Sequence, residues 1–369
     1  MPEPRFLQIH TLTSYAATLL NRDDTGLAKR LQYGGATRTR ISSQSLKRHW
    51  RLADDPHALG RIDGAEAAYR SRELVTKKVV ATLDGIPPEV VAAIEPEFQK
   101  ALYGEKGDSK QSRQTLLFGE TELAWLAAEA RRLAEEAGGD PKAAKTAAEA
   151  WRKAMKGSLK AMTDAATLPG GLTAALFGRM VTSDPEANIT APVHVAHAFT
   201  VHGEESESDY FTAVDDLAGP HDTGADTIQD TELTSGIFYG YVVVDLDGLR
   251  KNLGGDARLM GEVLHNLVYL IAEVSPGAKL GSTAPYGRAA VMLLEAGDRQ
   301  PRSLAEAFRS PCRPDTASAE AAMRGQLAAV DDAYATGEER WVMSLGNCDM
   351  PGATRGTLAD LAAWARALA

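Results

Sequence analysis

The spacing of apolar positions divides the chain into strand-rich ends and a helical middle. Residues 6–14 alternate, with Leu7 and Ile9 on one face, and predict a strand. Similar short runs predict strands at residues 176–181, 193–201, 237–246, 289–294 and 341–345. Helical apolar spacing predicts helices at residues 256–274, 317–335 and 358–368, and a helix that begins at Ser42 or Ser43.

Residues 65–167 are rich in alanine and poor in β-branched residues, which predicts an inserted helical module. Turn-forming stretches at residues 104–112 and 138–141 divide this module. Its last helix has an apolar stripe of Trp151, Met155 and Leu159, while another face carries the cations Lys142, Lys145, Arg152, Lys156 and Lys160. An ordinary solvated helix face explains these cations about as well as a nucleic-acid contact does.

Strands and helices at both ends of the chain, flanking a helical insertion, indicate an α+β sheet domain with long excursions. The chain has 369 residues, of which 44% are hydrophobic, enough to bury a full core. Cys312 and Cys348 form no CxxC pair, which suits a reducing cytoplasm and provides no zinc signature. The first residues lack a signal-peptide pattern, and no apolar run approaches the roughly 20 residues of a membrane span. We therefore expect a cytoplasmic protein without a membrane partner.

Charge is distributed unevenly along the chain. The whole chain carries −10, but residues 22–51 contain eight Lys and Arg against two Asp, a local charge of +6. Gly34, Gly35 and the hydroxyls of Ser42 and Ser43 interleave these cations, a composition typical of a loop that binds phosphate. Free N–H groups in the first turn of the following helix would add to such a site, even if Ser42 and Ser43 also cap the helix. The alternative is a surface loop without a ligand.

An acidic segment at residues 203–232 contains ten Asp and Glu and no Lys or Arg. It also carries the neighbouring aromatic residues Tyr210 and Phe211. These rings either dock back on the domain or form an apolar wedge that enters between nucleic-acid bases.

Sequence motifs for catalysis are mostly missing. The chain has no GxSxG, HExxH or GxxxxGK[ST] motif. His194, His197 and His202 cluster, but on a strand His197 would point away from the other two, so a structural role is favoured over a metal site. Asp23 and Asp24 lie beside the basic residues, where they could assist RNA cleavage or simply shape the loop.

Longer motifs resemble a known family. The stretches that carry the resemblance are Asn21-Arg22-Asp23-Asp24, Gly34-Gly35, Arg38-Thr39-Arg40-Ile41-Ser42-Ser43-Gln44-Ser45-Leu46-Lys47-Arg48, Gly178-Arg179-Met180, Ala196-His197-Ala198, Tyr210-Phe211-Thr212-Ala213-Val214-Asp215-Asp216-Leu217, Ser235-Gly236-Ile237-Phe238-Tyr239, Asn252-Leu253-Gly254-Gly255 and Pro276-Gly277-Ala278-Lys279. In this order, over nearly the whole chain, they resemble the CasC-type backbone subunit of Cascade, the type I-E CRISPR surveillance complex, in the RAMP superfamily. Residues 281–288 do not align with the family pattern, which leaves Lys279 and Tyr286 without a role.

The resemblance implies an α+β fold with an RRM-like (ferredoxin-like) palm, helical fingers and a thumb formed by an extended β-hairpin. On this chain the palm would comprise residues 1–60, 171–202 and 236–369, the fingers residues 61–170 and the thumb residues 203–235. Copies of such a subunit polymerise head to tail along one guide crRNA, with other Cascade subunits, and present the guide for pairing with target DNA. The resemblance implies no catalytic residue, metal or cofactor.

The resemblance also implies contact residues. In the basic part of the palm, the RNA would be held by Asn21, Arg22, Lys29, Arg38, Arg40, Ser42, Ser43, Gln44, Lys47, Arg48 and Arg51. Met180 would lie near the bases, and Tyr210 and Phe211 in the thumb would interrupt base stacking. In the fingers, target DNA would be approached by Lys142, Lys145, Arg152 and Lys156.

Two further possibilities stay open. Type III relatives cleave target RNA with an aspartate in a palm loop, so the alternative function is a backbone subunit that cleaves paired RNA with Asp23 or Asp24 and a divalent metal. From charge alone, the acidic thumb, including Asp215 and Asp216, could also pair with a basic surface of the adjacent copy.

Overall fold

The computed structural model describes residues 3–155, 162, 168–181, 185–213, 227–346 and 348–369. The chain forms two compact units. The first, here the sheet unit, comprises Met1–Leu59, His194–Leu246 and Gly261–Ala369, and the second, here the helical unit, comprises Gly60–Val193 and Asp247–Met260. The predicted α+β class is confirmed. The predicted Lys156, Leu159, Lys160, Asp215 and Asp216 lie outside the described residues.

A large mixed sheet forms the framework of the sheet unit. Its strands are β1 (Phe6–Thr18), β2 (Arg30–Tyr33), β3 (Ala36–Ile41), β6 (Val193–Val195), β7 (Ala198–Thr200), β8 (Glu205–Ala213), β9 (Thr227–Asp245), β10 (Ala289–Gly297), β11 (Glu339–Ser344) and β12 (Ala353–Arg355). The main order is β12-β11-β10-β1-β9-β7-β3-β2, and β6 and β8 also pair with β9. Along this order only β11 and β12 are parallel.

The two faces of this sheet are covered by different helices. They are α1 (Ser43–Leu52), the part of α7 (Ala257–Glu273) from residue 261 onward, α9 (Thr316–Tyr334) and α10 (Leu358–Arg366). The short helix α8 (Leu280–Thr283) has no buried residue. Because side chains alternate along a strand, Thr11 of β1 faces Trp50 of α1, while Leu12 packs in a core with Met323 of α9. The helices α1 and α9 therefore lie on opposite faces of the sheet.

A buried ionic cluster connects β1, β10 and β11. The Glu295 carboxylate is fully buried and accepts hydrogen bonds from His10 Nε2 (2.9 Å), from Arg302 and from Arg340 Nε (2.7 Å). Burial alone would raise the pKa of Glu295, but the bonds from Arg302 and His10 outweigh it and hold that pKa far below its usual range. The carboxylate is thus ionised and links three strands.

The helical unit has its own core. It contains β4 (Ala68–Ser71), β5 (Leu116–Gly119), α2 (Pro88–Tyr103), α3 (Glu120–Glu136), α4 (Pro141–Ala154), α5 (Gly171–Phe177) and α6 (Leu246–Asn252). The predicted Trp151 stripe is confirmed as far as it is described, because Trp151 stacks on Phe98 with ring centroids 4.1 Å apart. A buried ion pair between Arg179 and Glu122 (2.7 Å) adds to this core.

Three details of the predicted elements are wrong. Residues 171–177 form α5, where the sequence predicted a strand at 176–181. The predicted strand at 193–201 is split at Ala196 and His197 into β6 and β7. The basic residues 22–51 do not form an irregular loop, since they contain the hairpin β2–β3. In the part of the chain that the structure describes, no helix has the length and apolar content needed to cross a bilayer.

Candidate nucleic-acid interface

The basic segment, residues 22–51, is held in shape by a tight hairpin turn. The turn between β2 and β3 consists of Gly34 (φ +60°) and Gly35 (φ +79°), a backbone region that favours glycine. A Cβ on Gly34 would lie 1.5 Å from the carbonyl oxygen of Arg309, so no larger residue fits there. The turn fixes the direction in which β3 leads into α1.

The N-terminus of α1 is capped by side chains. Ser42 Oγ accepts the Ser45 N–H (3.3 Å), Asn21 Oδ1 accepts the Ser42 N–H (2.9 Å), and His197 Nδ1 accepts the Ser43 N–H (3.2 Å). The predicted cap is confirmed. Two of the first-turn amide groups predicted to be free, those of Ser45 and Leu46, already have acceptors, which are Ser42 Oγ and the Ser42 carbonyl oxygen (3.1 Å). The N–H groups of Ser45 and Leu46 are therefore engaged within the chain.

The predicted contact residues of the basic segment differ in exposure. Arg22, Gln44 and Arg48 are exposed; Asn21, Lys29, Arg40, Lys47 and Arg51 are half-buried; Ser42 and Ser43 are buried. Several of the cations converge on His197. Burial, together with the charges of Arg40, Lys29 and Lys47, lowers the pKa of His197. A neutral imidazole whose Nδ1 accepts a hydrogen bond fits this basic surrounding.

Arg38 is a correction to the predicted contacts. Its side chain is fully buried, and its guanidinium donates to the carbonyl oxygens of Thr200 (3.0 Å) and Phe308 (2.9 Å). Burial lowers the pKa of Arg38. The guanidinium that was predicted to bind phosphate thus donates to carbonyl oxygens inside the protein. Arg38 therefore holds β3 against its neighbours.

Asp23 shapes the loop before β2. Its Oδ1 accepts the Thr25 hydroxyl (2.7 Å), the Thr25 N–H (2.9 Å) and the Leu27 N–H (3.0 Å). The side-chain bond from Thr25 is the main reason that the pKa of Asp23 is lowered. Among the described residues, no group of three or more His, Cys, Asp or Glu side chains could hold a metal ion.

The hairpin β8–β9, here the acidic hairpin, presents two exposed aromatic rings. Tyr210 is 60% and Phe211 43% exposed, and as successive strand residues they point to opposite faces. The base of the hairpin is tied to the basic segment, since Arg30 pairs with Glu232 and with Glu204 (2.5 Å). Arg30 is therefore neutralised within its own chain.

Lys279 was not assigned from the sequence. Its ammonium lies 5.5 Å from the centre of the Phe211 ring and donates to the hydroxyl of Thr231 on β9. Its place beside Phe211 depends on residues about 68 positions apart in the chain, so no local pattern indicates it. The cation–aromatic pair belongs entirely to the sheet unit.

The remaining predicted contacts lie in the helical unit. Met180 is 76% exposed and follows the buried Arg179. Lys142 and Lys145 are exposed on α4. Arg152 is a correction, because its guanidinium already pairs with Glu97 (2.7 Å) and Glu105 (2.8 Å). The cationic surface of α4 is thus smaller than its sequence indicates.

Exposed cations beside exposed aromatic rings are typical of proteins that bind single-stranded nucleic acid through phosphates and base stacking. The chain belongs to the CT1975-like protein family (Cas_CT1975), whose model matches residues 7–366. The resemblance to a Cas backbone family is thereby confirmed at the level of the family. No curated protein matches the chain significantly.

Solved structures share the fold over almost the full length. One, described as "CRISPR RNA-guided surveillance complex, pre-nicking", is 24% identical and superposes with a TM-score of 0.79, covering 99% of this chain and 100% of that one. A second, described as "CRISPR RNA-guided surveillance complex", is 20% identical with a TM-score of 0.61, covering 98% and 99%. Because both structures are less than 25% identical to this chain, the likeness shows a shared fold.

Proposed function

We propose that this chain is a non-catalytic backbone subunit of a Cascade-type CRISPR surveillance complex, in which copies polymerise head to tail along the guide crRNA. The observation that supports this proposal most directly is that the sheet unit presents exposed cations of the basic segment together with the exposed rings of the acidic hairpin. Family membership and the full-length likeness to chains of surveillance complexes support the same assignment.

The physical task explains this division of chemistry. Guide sequences vary, so a protein that coats them must bind phosphate and ribose and leave the base edges free for pairing. Arg22, Lys47 and Arg48 supply charge without reading bases. Tyr210 or Phe211, entering between bases, would cost a few kcal/mol of unstacking per step, which phosphate contacts offset.

The finer assignments belong to the same proposal. They are the type I-E subtype, the RRM-like palm with the division of palm, fingers and thumb given above, other Cascade subunits as partners, and a cytoplasmic location. Met180 would approach guide bases, while Lys142 and Lys145 would approach target DNA. Arg38 and Arg152 are not proposed as contacts, since both guanidinium groups are engaged within the chain.

Polymerisation is tested by measuring the mass of complexes formed on single-stranded RNAs of increasing length. Each time the RNA is lengthened by the stretch that one subunit covers, the mass of the complex should rise by one subunit of 39.4 kDa. The number of bound subunits should not depend on the base sequence. A variant with Phe211→Ala and Tyr210→Ala should still bind but lose regular spacing, measured by nuclease protection. A single subunit per RNA at every length would contradict the proposal.

The alternative function, cleavage of paired RNA, needs Asp23 or Asp24 with a divalent ion. The contacts of Asp23 with Thr25 and Leu27 favour a role in loop shape. The assembled complex is incubated with complementary RNA and Mg²⁺, with Asp23→Asn as the comparison. Intact RNA supports the scaffold; regularly spaced cuts that disappear in Asp23→Asn would establish the alternative.

A further inference from the structure

Lys279 lies in a turn with unusual backbone geometry. It precedes α8 and has φ +54°, while Ala284, just after α8, has φ +38°. For residues other than glycine such conformations cost of order 1–3 kcal/mol and persist only where the surroundings enforce them. Here the Thr283 hydroxyl donates to the carbonyl oxygens of Ala278 and Lys279 (both 3.1 Å). The position of Lys279 is therefore fixed by the fold.

The same turn is connected to the start of the basic segment. The Ala278 N–H donates to the carbonyl oxygen of Leu19 (2.9 Å), two residues before Asn21. Asn21 in turn holds the N-terminus of α1 through the Ser42 N–H. Lys279 is thus attached to the segment that carries Lys47 and Arg48, although more than 200 residues separate them in sequence.

The ammonium of Lys279 has room for a further partner. The side chain is exposed, and one of its three donors is used by Thr231. Among the described residues it forms no ion pair with a carboxylate within 4 Å, although it lies against a hairpin rich in acids. Its charge contrasts with that of Arg30, which two glutamates neutralise.

The ring beside Lys279 has two faces. An ammonium near one face of Phe211 is attracted by the ring quadrupole and leaves the other face open to a nucleic-acid base. A cation beside an aromatic ring offers one partner to a phosphate and another to a base. The nearby exposed side chains Leu280 and Tyr286 extend the surface.

We propose that Lys279 is an RNA-contacting residue, whose ammonium binds a guide phosphate next to the nucleotide whose base meets Phe211. This inference rests on the proposed function and adds a contact outside the basic segment. It assigns the side of the acidic hairpin that faces Lys279 to the guide, and it makes the turn before β10 a part of the RNA-binding surface.

The test is a salt titration of binding to a single-stranded RNA that takes up one subunit, comparing parent, Lys279→Gln, Lys279→Arg and Arg324→Gln. In Lys279→Gln the side chain can still donate a hydrogen bond to Thr231 but has lost its positive charge. In Lys279→Arg the positive charge is kept. Arg324 is exposed on α9, on the opposite sheet face from α1, and is the matched control. Thermal unfolding of each variant verifies folding.

Each phosphate contact on single strands contributes about 0.7 to the slope of log K against log salt. We expect Lys279→Gln to reduce the slope by about 0.7, and Lys279→Arg and Arg324→Gln to match the parent. If Lys279→Gln bound more weakly with an unchanged slope, Lys279 would only hold Phe211 in place, and the phosphate contact would be overturned. The contact would also be overturned if Lys279→Gln had the affinity and the slope of the parent. If the parent itself bound no RNA, the proposed function would fail instead.

Discussion

At the scale of single residues, burial decides which arginine supports the fold and which can meet a ligand. Arg38 and Arg48 belong to the same basic segment, yet one is fully buried and the other exposed. The acceptors of Arg38 lie 162 and 270 residues further along the chain. No local pattern could indicate them, and this is why Arg38 was wrongly predicted to bind RNA.

The pair therefore gives a prediction with an internal control. Arg38→Ala should lower the free energy of unfolding by about 3 kcal/mol, because it leaves buried carbonyl groups without donors and opens a cavity. Arg48→Ala should change it by less than about 0.5 kcal/mol. Urea denaturation measures both. Equal effects of the two substitutions would show that Arg38 is not structural.

His197 gives a prediction about pH. Its pKa lies below the ordinary value of 6.5, owing to burial and to Arg40, Lys29 and Lys47. The unfolded chain therefore binds more protons just below pH 6.5, and stability is lost as the pH falls from there toward the lower folded pKa. His197→Asn should show a smaller loss of unfolding free energy between pH 7 and pH 5. The buried His10 is retained in both proteins, so overlapping curves would contradict the assignment to His197.

At the scale of elements, the β2–β3 turn shows how one position can demand glycine more than its neighbour. Gly34 and Gly35 both have positive φ, but only Gly34 has an atom where a Cβ would be. Gly35→Ala should cost about 1 kcal/mol from backbone conformation alone. Gly34→Ala should cost about 3 kcal/mol or more, since the Arg309 backbone must also move. Thermal unfolding of the two variants compares them, and similar costs would mean that the turn adapts easily.

Long periodic elements were predictable, and short ones were not. The helix expected at residues 256–274 is α7 (Ala257–Glu273), because its apolar period extends over many turns. The run at 176–181 is too short to distinguish a strand from a helix, and the turn at Gly170 and Gly171 starts α5 instead. The hairpin β2–β3 was missed because its strands are mostly charged and polar, so they carry no apolar alternation.

At the scale of the whole molecule, the excess of acidic residues and the basic segment serve different purposes. The chain carries −10, and residues 203–232 alone contain ten acids. At the hairpin base, Glu204 and Glu232 pair with Arg30 of the same chain, so part of this acidic charge fixes the hairpin. The sequence indicated the opposing charges, but only the fold shows which of them neutralise each other.

The central claim is that the basic segment binds the phosphate backbone without reading bases. The most direct measurement is the salt dependence of RNA affinity for Lys47→Glu/Arg48→Glu. The matched control is Arg299→Glu/Arg324→Glu, whose two arginines are exposed in the sheet unit. The first variant should bind at least about tenfold more weakly, which corresponds to about 1.4 kcal/mol, and its salt slope should fall by about 1.4 on every base composition. The second should behave like the parent. Parental affinity and slope in the Lys47/Arg48 variant, or a loss confined to one base sequence, would contradict the claim.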